Sequence, residues 1–364
     1  MNIAILGTRG IPNYYGGFEQ FAEYLAKELV NRGHAITVYN STSHPYQEPT
    51  WNGVKLVHCN DPEDKWGTVG QFIYDLNCIR HARTQNYDII LQLGYTSSSI
   101  WGWLLPKKSV ITTNMDGLEW MRTKYKKPVQ WFLRFAEYLG VVFSDHLISD
   151  SIGIQDYIKK KYNTTSIYIP YGAYCFENPE IEQIEEQNLG AYTYNMLIAR
   201  LEPENNVEMI LDGVLNSDTS LKFLVIGNSE TAYGKYLKSK YYLCEKIQFL
   251  GSIYNLEYLN NLRHFSNLYF HGHSVGGTNP SLLEAMGSNS LICAHENPFN
   301  KAILGEDAFY FKDKEQVTQL LQISKQQNVG HIIKNCEKIR SIYSWDSIVD
   351  QYEKHFLGIL NKSC

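Results

Sequence analysis

Residues 268–286 read LYFHGHSVGGTNPSLLEAM, and this stretch decides the fold class. An apolar run, Leu268–His271, passes into a loop of Gly, Ser, Thr and Asn, and Pro280 then opens a helical pattern that contains Glu284. Proline is well tolerated in the first turn of a helix. A strand that leads through a glycine-rich turn into a helix is the repeating unit of parallel α/β sheets, so we expect an α/β protein.

The same rhythm continues in both directions from this stretch. Short β-branched runs alternate with longer amphipathic segments over the 364 residues, which predicts βαβ units whose parallel sheets are covered on both faces. Residues 173–192 interrupt the rhythm, because they are polar and acidic and include Pro179. We therefore predict two doubly wound Rossmann-like domains that face a central cleft, 1–172 and 193–343. The linker is 173–192, and a last helix in 344–364 crosses back to the first domain.

Composition narrows the class of protein. Apolar residues make up 44% and charged residues 20%, which is typical of a globular chain. The net charge of −5 argues against a general nucleic-acid binder. The seven cysteines form no CxxC pair, so we expect reduced thiols and no zinc site. Neither a secretory signal nor an apolar run of roughly 20 residues is found, and we expect a cytoplasmic protein, soluble or peripheral on the inner face of the plasma membrane.

The loop before Glu284 is the first candidate binding site. Ligands of doubly wound sheets bind beyond the carboxyl ends of the strands. The backbone N–H groups of Thr278–Leu282 would lie at a helix N-terminus, where a diphosphate is favoured, and Glu284 could accept hydrogen bonds from a ribose. The alternative is a simple helix cap with Glu284 as a surface charge.

Arg200 lies in a second loop, Ala199–Asn206, which follows the first predicted strand of the second domain. A guanidinium there can bind phosphate oxygens in a bidentate manner. The alternative is a surface ion pair. His271 and His273 could reach the same ligand, although a histidine near the end of a strand is often structural.

Two loops of the first half are candidates for acceptor binding. Gly7–Pro12 and Tyr15–Phe18 join the first strand to a helix, and their glycines let the backbone approach a ligand. The alternative is a flexible turn, because neither GxGxxG nor a Walker motif is present. Asp116 follows the strand Val110–Thr113 and could orient the acceptor or take its proton. A helix cap is the alternative role for Asp116.

Five stretches together resemble glycosyltransferase family 4, the retaining enzymes of GT-B fold, and within it the rhamnosyltransferase branch of bacterial capsule and O-antigen synthesis. The stretches are 7–12 (GTRGIP), 16–19 (GGFE), 114–120 (NMDGLEW), 199–206 (ARLEPENN) and 271–284 (HGHSVGGTNPSLLE). By this resemblance Glu284 is the second glutamate of the family's Glu-x7-Glu motif and holds the ribose hydroxyls. At the position of the family's first glutamate this sequence has Gly276, and at the position of the family's lysine it has Asn205.

The resemblance, together with the loops above, implies the following site residues. The catalytic set is Asp116, His273 and Arg200. The acceptor-binding set is Arg9, Tyr15, Gly16, Gly17, Asp116 and Glu119. The donor-binding set is Arg200, Asn205, Gly227, Ile253, Gly276, Gly277, Thr278, Asn279, Ser281, Leu282 and Glu284.

The implied activity is transfer of L-rhamnose from dTDP-β-L-rhamnose to a lipid-linked saccharide, with the acceptor attacking from the side on which the diphosphate leaves. No Asp-x-Asp motif is present, so we expect metal-independent catalysis with the nucleotide sugar as substrate and no cofactor. A UDP- or GDP-sugar donor stays open. So do two other functions, a sugar-nucleotide epimerase and a non-catalytic sugar-nucleotide-binding module.

One basic segment suggests a membrane partner. Residues 120–134 (WMRTKYKKPVQWFLR) interleave five basic residues with aromatics and contain no acid. This pattern is typical of contact with anionic lipid headgroups, near which a lipid-linked acceptor would lie. A solvated basic helix is the alternative.

Overall fold

The structure is a computed structural model that describes residues 1–14, 16–122, 125–185 and 188–361. The described residues form two compact units. The first comprises 1–120, 125–171 and 345–361, and the second comprises 121–122 and 172–344 without the gap at 186–187.

The first unit is built on an eight-stranded sheet of order β3-β4-β2-β1-β5-β6-β7-β8. Its strands are β1 Asn2–Leu6, β2 Ala35–Ser41, β3 Thr50–Trp51, β4 Val54–Cys59, β5 Ile89–Leu93, β6 Val110–Asn114, β7 His146–Ser149 and β8 Ile167–Tyr168. Neighbouring strands are parallel except β3 and β4. β1 and β5 are buried along nearly their whole length because helices cover both faces.

The helices of the first unit lie between successive strands along the chain, in the predicted alternation of strand and helix. They are α1 Gly17–Asn31, α2 Glu63–Trp66, α3 Thr68–Ala82, α4 Lys127–Val142 and α5 Ile152–Tyr162, with a 3-10 helix at Ser99–Leu104. The C-terminal helix, Trp345–Asn361, packs on α1. The rings of Phe21 and Tyr352 lie 5.2 Å apart there, and Glu353 accepts a hydrogen bond from Arg32 at 2.8 Å.

The second unit is built on a six-stranded parallel sheet of order β11-β10-β9-β12-β13-β14. Its strands are β9 Tyr194–Ile198, β10 Lys222–Ile226, β11 Ile247–Gly251, β12 Tyr269–His271, β13 Ile292–His295 and β14 Phe309–Phe311. Its helices are α6 Glu182–Glu185, α7 Val207–Leu215, α8 Ala232–Lys240, α9 Leu256–Phe265, α10 Pro280–Gly287, α11 Pro298–Leu304, α12 Lys314–Leu320 and α13 Val329–Ser341. The predicted class, α/β with two doubly wound parallel sheets, is confirmed.

The segment predicted as a linker, 173–192, lies within the second unit where it is described. Ile184 of α6 is fully buried, and the backbone N–H of Glu180 donates to Asn261 Oδ1 at 2.7 Å. Ile184 and Leu189 are the apolar anchors in this otherwise acidic stretch, and both are buried. This acidic segment therefore connects the two sheets as a packed part of the second unit and is not a free linker.

Among the helices that the structure describes, none is long and apolar enough to cross a membrane.

Candidate functional site

The order of the second sheet reverses between β9 and β12, and the loops that follow these two strands lie side by side. Asn206 Nδ2 donates to the carbonyl of Gly272 at 2.8 Å, and Ser274 Oγ donates to the carbonyl of Glu204 at 2.7 Å. A Cβ at Gly272 would lie 2.1 Å from the oxygen of Asn205, so only glycine allows this approach. Such a reversal is the position at which doubly wound sheets bind ligands.

Arg200 is exposed at the carboxyl end of β9. No ion pair holds its guanidinium within the part of the chain that the structure describes. Its carbonyl accepts a hydrogen bond from Asn205 Nδ2 at 2.7 Å, and Asn205 itself is buried. The Asn205 side chain therefore shapes the Arg200 loop, while the guanidinium of Arg200 is available to an anion.

At the N-terminus of α10, some of the backbone N–H groups that were expected to be free are already hydrogen-bonded. Asn279 caps the helix, because its Oδ1 accepts from the N–H of Ser281 at 2.9 Å and its carbonyl accepts from the N–H of Leu282 at 3.0 Å. Pro280 has no N–H to offer. The prediction that all of Thr278–Leu282 present N–H groups to a ligand is wrong for these three positions, since the asparagine cap takes up two of the donors.

The remaining donor candidates lie around the same sheet edge. Gly276 has a φ of +130° and open space where a Cβ would be, so its backbone can be approached closely. Thr278 and Leu282 are buried, and Gly277 is half-buried. Gly227 and Ile253 follow β10 and β11, on the β9 side of the reversal.

Glu284 is held by a buried arginine. Arg263 of α9 has a side chain that is 1% exposed, and its Nη2 lies 2.5 Å from Glu284 Oε2. Arg263 Nη1 also donates to Asn260 Oδ1 at 2.9 Å. A buried charge-assisted pair of this kind fixes the carboxylate in one orientation. The Glu284 side chain is 18% exposed, so it combines a fixed inner contact with an outer edge that reaches solvent.

Arg263 was not among the predicted site residues. It lies four positions after the buried Leu259 on α9 and therefore shares its inward face. A cation on the apolar face of a short helix requires a buried partner, and that requirement is the signal in the sequence that would have pointed to a carboxylate nearby.

His271 and His273 stack with ring centroids 4.4 Å apart. Both ring nitrogens of His271, and Nδ1 of His273, are buried and have no hydrogen-bond partner among the described residues. Burial, with a further contribution from the charge of His273, lowers the pKa of His271 well below its usual range. Burial and then the charges of Arg200 and Arg122 lower the pKa of His273 to about 3. Both rings are therefore neutral at physiological pH.

The first unit carries the predicted acceptor loop. Arg9 donates to Glu63 through Nε at 2.9 Å and through Nη2 at 2.8 Å, and its backbone N–H donates to Glu19 Oε1 at 2.9 Å. Burial opposes the charge on Glu63, but the hydrogen bonds from Arg9 and Gln71 outweigh it and lower the pKa of the carboxyl. Arg9 is thus committed to an ion pair that orders the loop.

Gly16 and Gly17 form the N-terminus of α1, where Gly16 precedes the first helical residue. Tyr15 lies outside the described residues. Two further glycines of this loop, Gly7 and Gly10, have positive φ values of 90° and 129°. A Cβ at Gly7 would lie 2.2 Å from the oxygen of Leu93, so the loop packs closely on the end of β5.

Asp116 follows β6 and is half-buried. Its Oδ2 accepts a hydrogen bond from the hydroxyl of Tyr171 at 3.1 Å. Burial, followed by the charge of Asp116, raises the pKa of Tyr171 well above its usual range, so the tyrosine stays protonated and donates. Glu119 is half-buried three residues further on, in a 3-10 turn over Glu119–Met121. Asp116 is therefore oriented by a buried tyrosine hydroxyl.

Among the described residues, no cluster of three or more His, Cys, Asp or Glu side chains has the arrangement that would hold a metal ion.

Known proteins resemble the chain in sequence and in fold. A family described as a domain of unknown function, DUF1972, matches residues 1–174. A protein described as an uncharacterized 42.6 kDa protein in the cps region of Klebsiella pneumoniae is 34% identical over 68 residues. That match covers 18% of this chain and 18% of the relative, so it spans less than a fifth of either length.

Solved structures match over nearly the whole chain. Sucrose-phosphate synthase from Thermosynechococcus elongatus superposes with a TM-score of 0.83 at 14% identity, over 99% of both chains. HepE from Anabaena, in complex with UDP and glucose, gives a TM-score of 0.76 at 14% identity, over 98% of this chain and 100% of its own. Trehalose 6-phosphate synthase from Burkholderia multivorans gives 0.72 at 12% identity, over 100% and 99%. The fold is GT-B.

Proposed function

We propose that the chain is a glycosyltransferase that binds a nucleotide-sugar donor at the reversal point of its second sheet. The observation that carries the proposal is Glu284, which Arg263 fixes at 2.5 Å on the helix that follows the glycine-rich loop. The oriented carboxylate on α10 provides an acceptor for sugar hydroxyls, and the exposed Arg200 after β9 provides a cation for phosphate oxygens. The similar folds of HepE with UDP and glucose and of sucrose-phosphate synthase support this choice.

We further propose the donor and the pathway. The donor is dTDP-β-L-rhamnose, the acceptor is a lipid-linked saccharide, and the product is part of a bacterial surface polysaccharide. The five motif stretches of the rhamnosyltransferase branch support this, as does the partial match to a protein of a cps region. Gly276, with open space around it, replaces the glutamate that the wider family places near the sugar, and this suits a sugar that lacks one hydroxyl.

The reaction proposed is retaining. The guanidinium of Arg200 binds the diphosphate and stabilises the charge that develops as the glycosidic bond breaks. His273 contacts donor atoms as a neutral hydrogen-bonding ring, since its pKa of about 3 keeps it uncharged. The leaving phosphate takes the proton of the acceptor hydroxyl, which attacks on the same face. Asp116, oriented by Tyr171, positions that hydroxyl. No metal or cofactor takes part in this proposal.

The test is donor binding by calorimetry with dTDP-, UDP- and GDP-sugars, for the wild type and for Glu284→Ala. We expect binding of dTDP-rhamnose and a loss of roughly 10- to 100-fold in affinity for the variant, because the charge-assisted hydrogen bond from the 3′-hydroxyl of the deoxyribose to the carboxylate is removed. Asp307→Ala is a matched control, since Asp307 also makes a short ion pair, 2.7 Å from Lys338. Asp307 precedes β14 and so lies at the amino end of a strand, whereas the candidate site lies at the carboxyl ends.

Four outcomes separate the parts of the proposal. Unchanged affinity in Glu284→Ala would rule out this site. Preference for a UDP- or GDP-sugar would overturn the donor and leave the site. Turnover of the donor into a stereoisomer without any acceptor would identify an epimerase, and binding without any turnover would identify a binding module.

A further inference from the structure

Helix α4 carries apolar side chains on two opposite faces. Leu133, Ala136 and Gly140 are buried against the first unit. Trp131, Phe135, Tyr138 and Val142 are 70%, 54%, 50% and 52% exposed. A surface helix of a globular protein ordinarily presents polar residues on its outer face, so this second apolar face requires an explanation.

The exposed apolar residues form one narrow stripe. At about 100° per residue, positions 131, 135, 138 and 142 fall within an arc of roughly 60°, and the buried positions lie on the opposite side of the helix. From Trp131 to Val142, eleven rises of about 1.5 Å each, the stripe extends for about 16 Å along the helix. We call Trp131, Phe135, Tyr138 and Val142 the outer stripe.

Charges next to the outer stripe are of one sign along α4. Lys126, Lys127 and Arg134 are exposed. Glu137 is the one acid in the helix sequence, and it is buried, with Lys161 Nζ at 2.8 Å from its Oε1. Trp120 Nε1 donates to its other oxygen at 3.1 Å. The outward side of α4 therefore combines bulky aromatics with cations and presents no carboxylate of its own.

The neighbouring 3-10 helix extends this surface. Residues Ser99–Leu104 pack against α4, and Trp103 among them is 64% exposed. Lys107 and Lys108, which follow directly, are exposed as well. This second segment, separate in sequence from α4, therefore also combines an exposed aromatic side chain with lysines.

We propose that α4 lies on an anionic lipid bilayer, with the outer stripe inserted at the boundary between headgroups and acyl chains. Trp, Tyr and Phe on one face with Lys and Arg beside them is the composition of helices that lie in the plane of a membrane. Each cation near an anionic surface strengthens the attraction to it, while the apolar outer stripe supplies the part of the binding that does not depend on charge. This inference deepens the membrane side of the proposed function, in which the acceptor is lipid-linked.

The experiment is flotation of the full-length protein with vesicles of phosphatidylcholine alone or with 30% phosphatidylglycerol. We expect wild type to float with the anionic vesicles and much less with the neutral ones. Trp131→Ser/Phe135→Ser removes half of the stripe, and Lys126→Glu/Lys127→Glu reverses two charges. Each variant is expected to lower the bound fraction by roughly tenfold. The matched control is Tyr242→Ser/Leu243→Ser in the second unit, where both side chains are about 80% exposed, and we expect it to float like wild type.

A second readout tests insertion directly. Brominated lipids should quench tryptophan fluorescence of the wild type, and Trp131→Phe should lose much of that quenching. Flotation that responds to the charge reversal but not to the serine variant would overturn insertion of the stripe. A concentration-dependent dimer in sedimentation that the serine variant dissolves would assign the stripe to a second copy of the chain. Nucleotide-sugar binding is measured on the same variants, so failure of membrane binding with intact donor binding leaves the transferase proposal in place.

Discussion

Arg263 and Glu284 form the pair on which the proposed donor site depends. Both charges are largely removed from water, with exposures of 1% and 18%, and such a pair contributes little net stability because desolvation offsets the attraction. Its contribution is geometric, since a carboxylate fixed by a short charge-assisted bond loses no rotamer freedom when a ligand binds. Arg263 is therefore expected to act through Glu284 as a positioning residue.

The first prediction concerns Arg263→Met. We expect affinity for the nucleoside diphosphate to fall roughly tenfold, because Glu284 then moves between rotamers and loses its orientation. The specific readout is dependence on the sugar hydroxyl. Wild type should bind dTDP more tightly than its 3′-deoxy analogue, and the variant should bind both about equally. Calorimetry of the two ligands measures this ratio, and Arg263→Lys should restore part of it.

A merely structural role for Arg263 would give a different result. The variant would then lose thermal stability but keep the preference for the hydroxylated nucleotide, and the positioning role would be refuted. Breaking a buried pair typically destabilises by about 3–5 kcal/mol, so the folded fraction is measured alongside affinity.

At this scale the sequence predicts as site residues those whose position along the chain is informative by itself. Arg200 and Glu284 follow strands, and strand ends are readable from short β-branched runs. The position of Arg263 on an apolar helix face predicts a buried partner but not which one, because Glu284 is 21 residues away on another helix and no local pattern encodes that contact. The expectation of free N–H groups at Ser281 and Leu282 is wrong for a similar reason, since both donate to Asn279, which caps the helix.

At the scale of elements, the loops after β9 and β12 form one rigid edge. The hydrogen bonds from Asn206 to Gly272 and from Ser274 to Glu204 join them, and Gly272 removes the side chain that would separate them. Because Arg200 belongs to one loop and Gly276 to the other, the spacing between loops sets the spacing of the predicted phosphate and sugar contacts.

The second prediction is that Gly272→Ala separates these loops. Its Cβ would lie 2.1 Å from the Asn205 oxygen, a backbone atom that cannot rotate away, so we expect a destabilisation of about 1–3 kcal/mol and a loss of donor affinity. Gly330→Ala is the matched control, because a Cβ at that position of α13 meets nothing within 4 Å. Urea midpoints and calorimetry compare the two. Donor affinity equal to wild type in Gly272→Ala would show that the spacing of the loops does not matter.

Predicted elements agree well where the apolar pattern is dense. The strand predicted at Val110–Thr113 is observed as Val110–Asn114, the apolar run Leu268–His271 contains β12, and α10 begins at Pro280 as predicted. Helix α13, Val329–Ser341, was not predicted, because only scattered apolar residues such as Ile332 and Ile339 mark its buried face among many polar ones. Its place is set by packing on α10, which is a tertiary effect.

At the scale of the whole molecule, the sequence predicted two sheets and their parallel pairing, because alternation of strand and helix leaves few other arrangements. It did not predict the buried cations. Lys325 is 5% exposed and has no carboxylate partner in the described residues, and its Nζ donates to the carbonyl of His264. Burial lowers the pKa of Lys325 to about 7 and, with the charge of Lys325, lowers the pKa of His264 to about 4. These two groups make stability depend on pH over adjacent ranges.

Lys325 determines how the free energy of unfolding depends on pH above neutrality. In the unfolded chain a lysine keeps its proton up to about pH 10.4, whereas in the folded protein Lys325 releases it near pH 7. Between these values the unfolded state binds more protons, so the free energy of unfolding rises with pH. We expect the urea midpoint of wild type to increase from pH 7 to pH 9.5, and Lys325→Met, which has no titrating group, to show a smaller increase.

Lys235→Met, at a lysine side chain that is 65% exposed, should keep the slope of wild type. If Lys325→Met kept that slope too, the buried amine would not be the group that titrates, and its charge would have to be stabilised in the fold by contacts other than the carbonyl of His264.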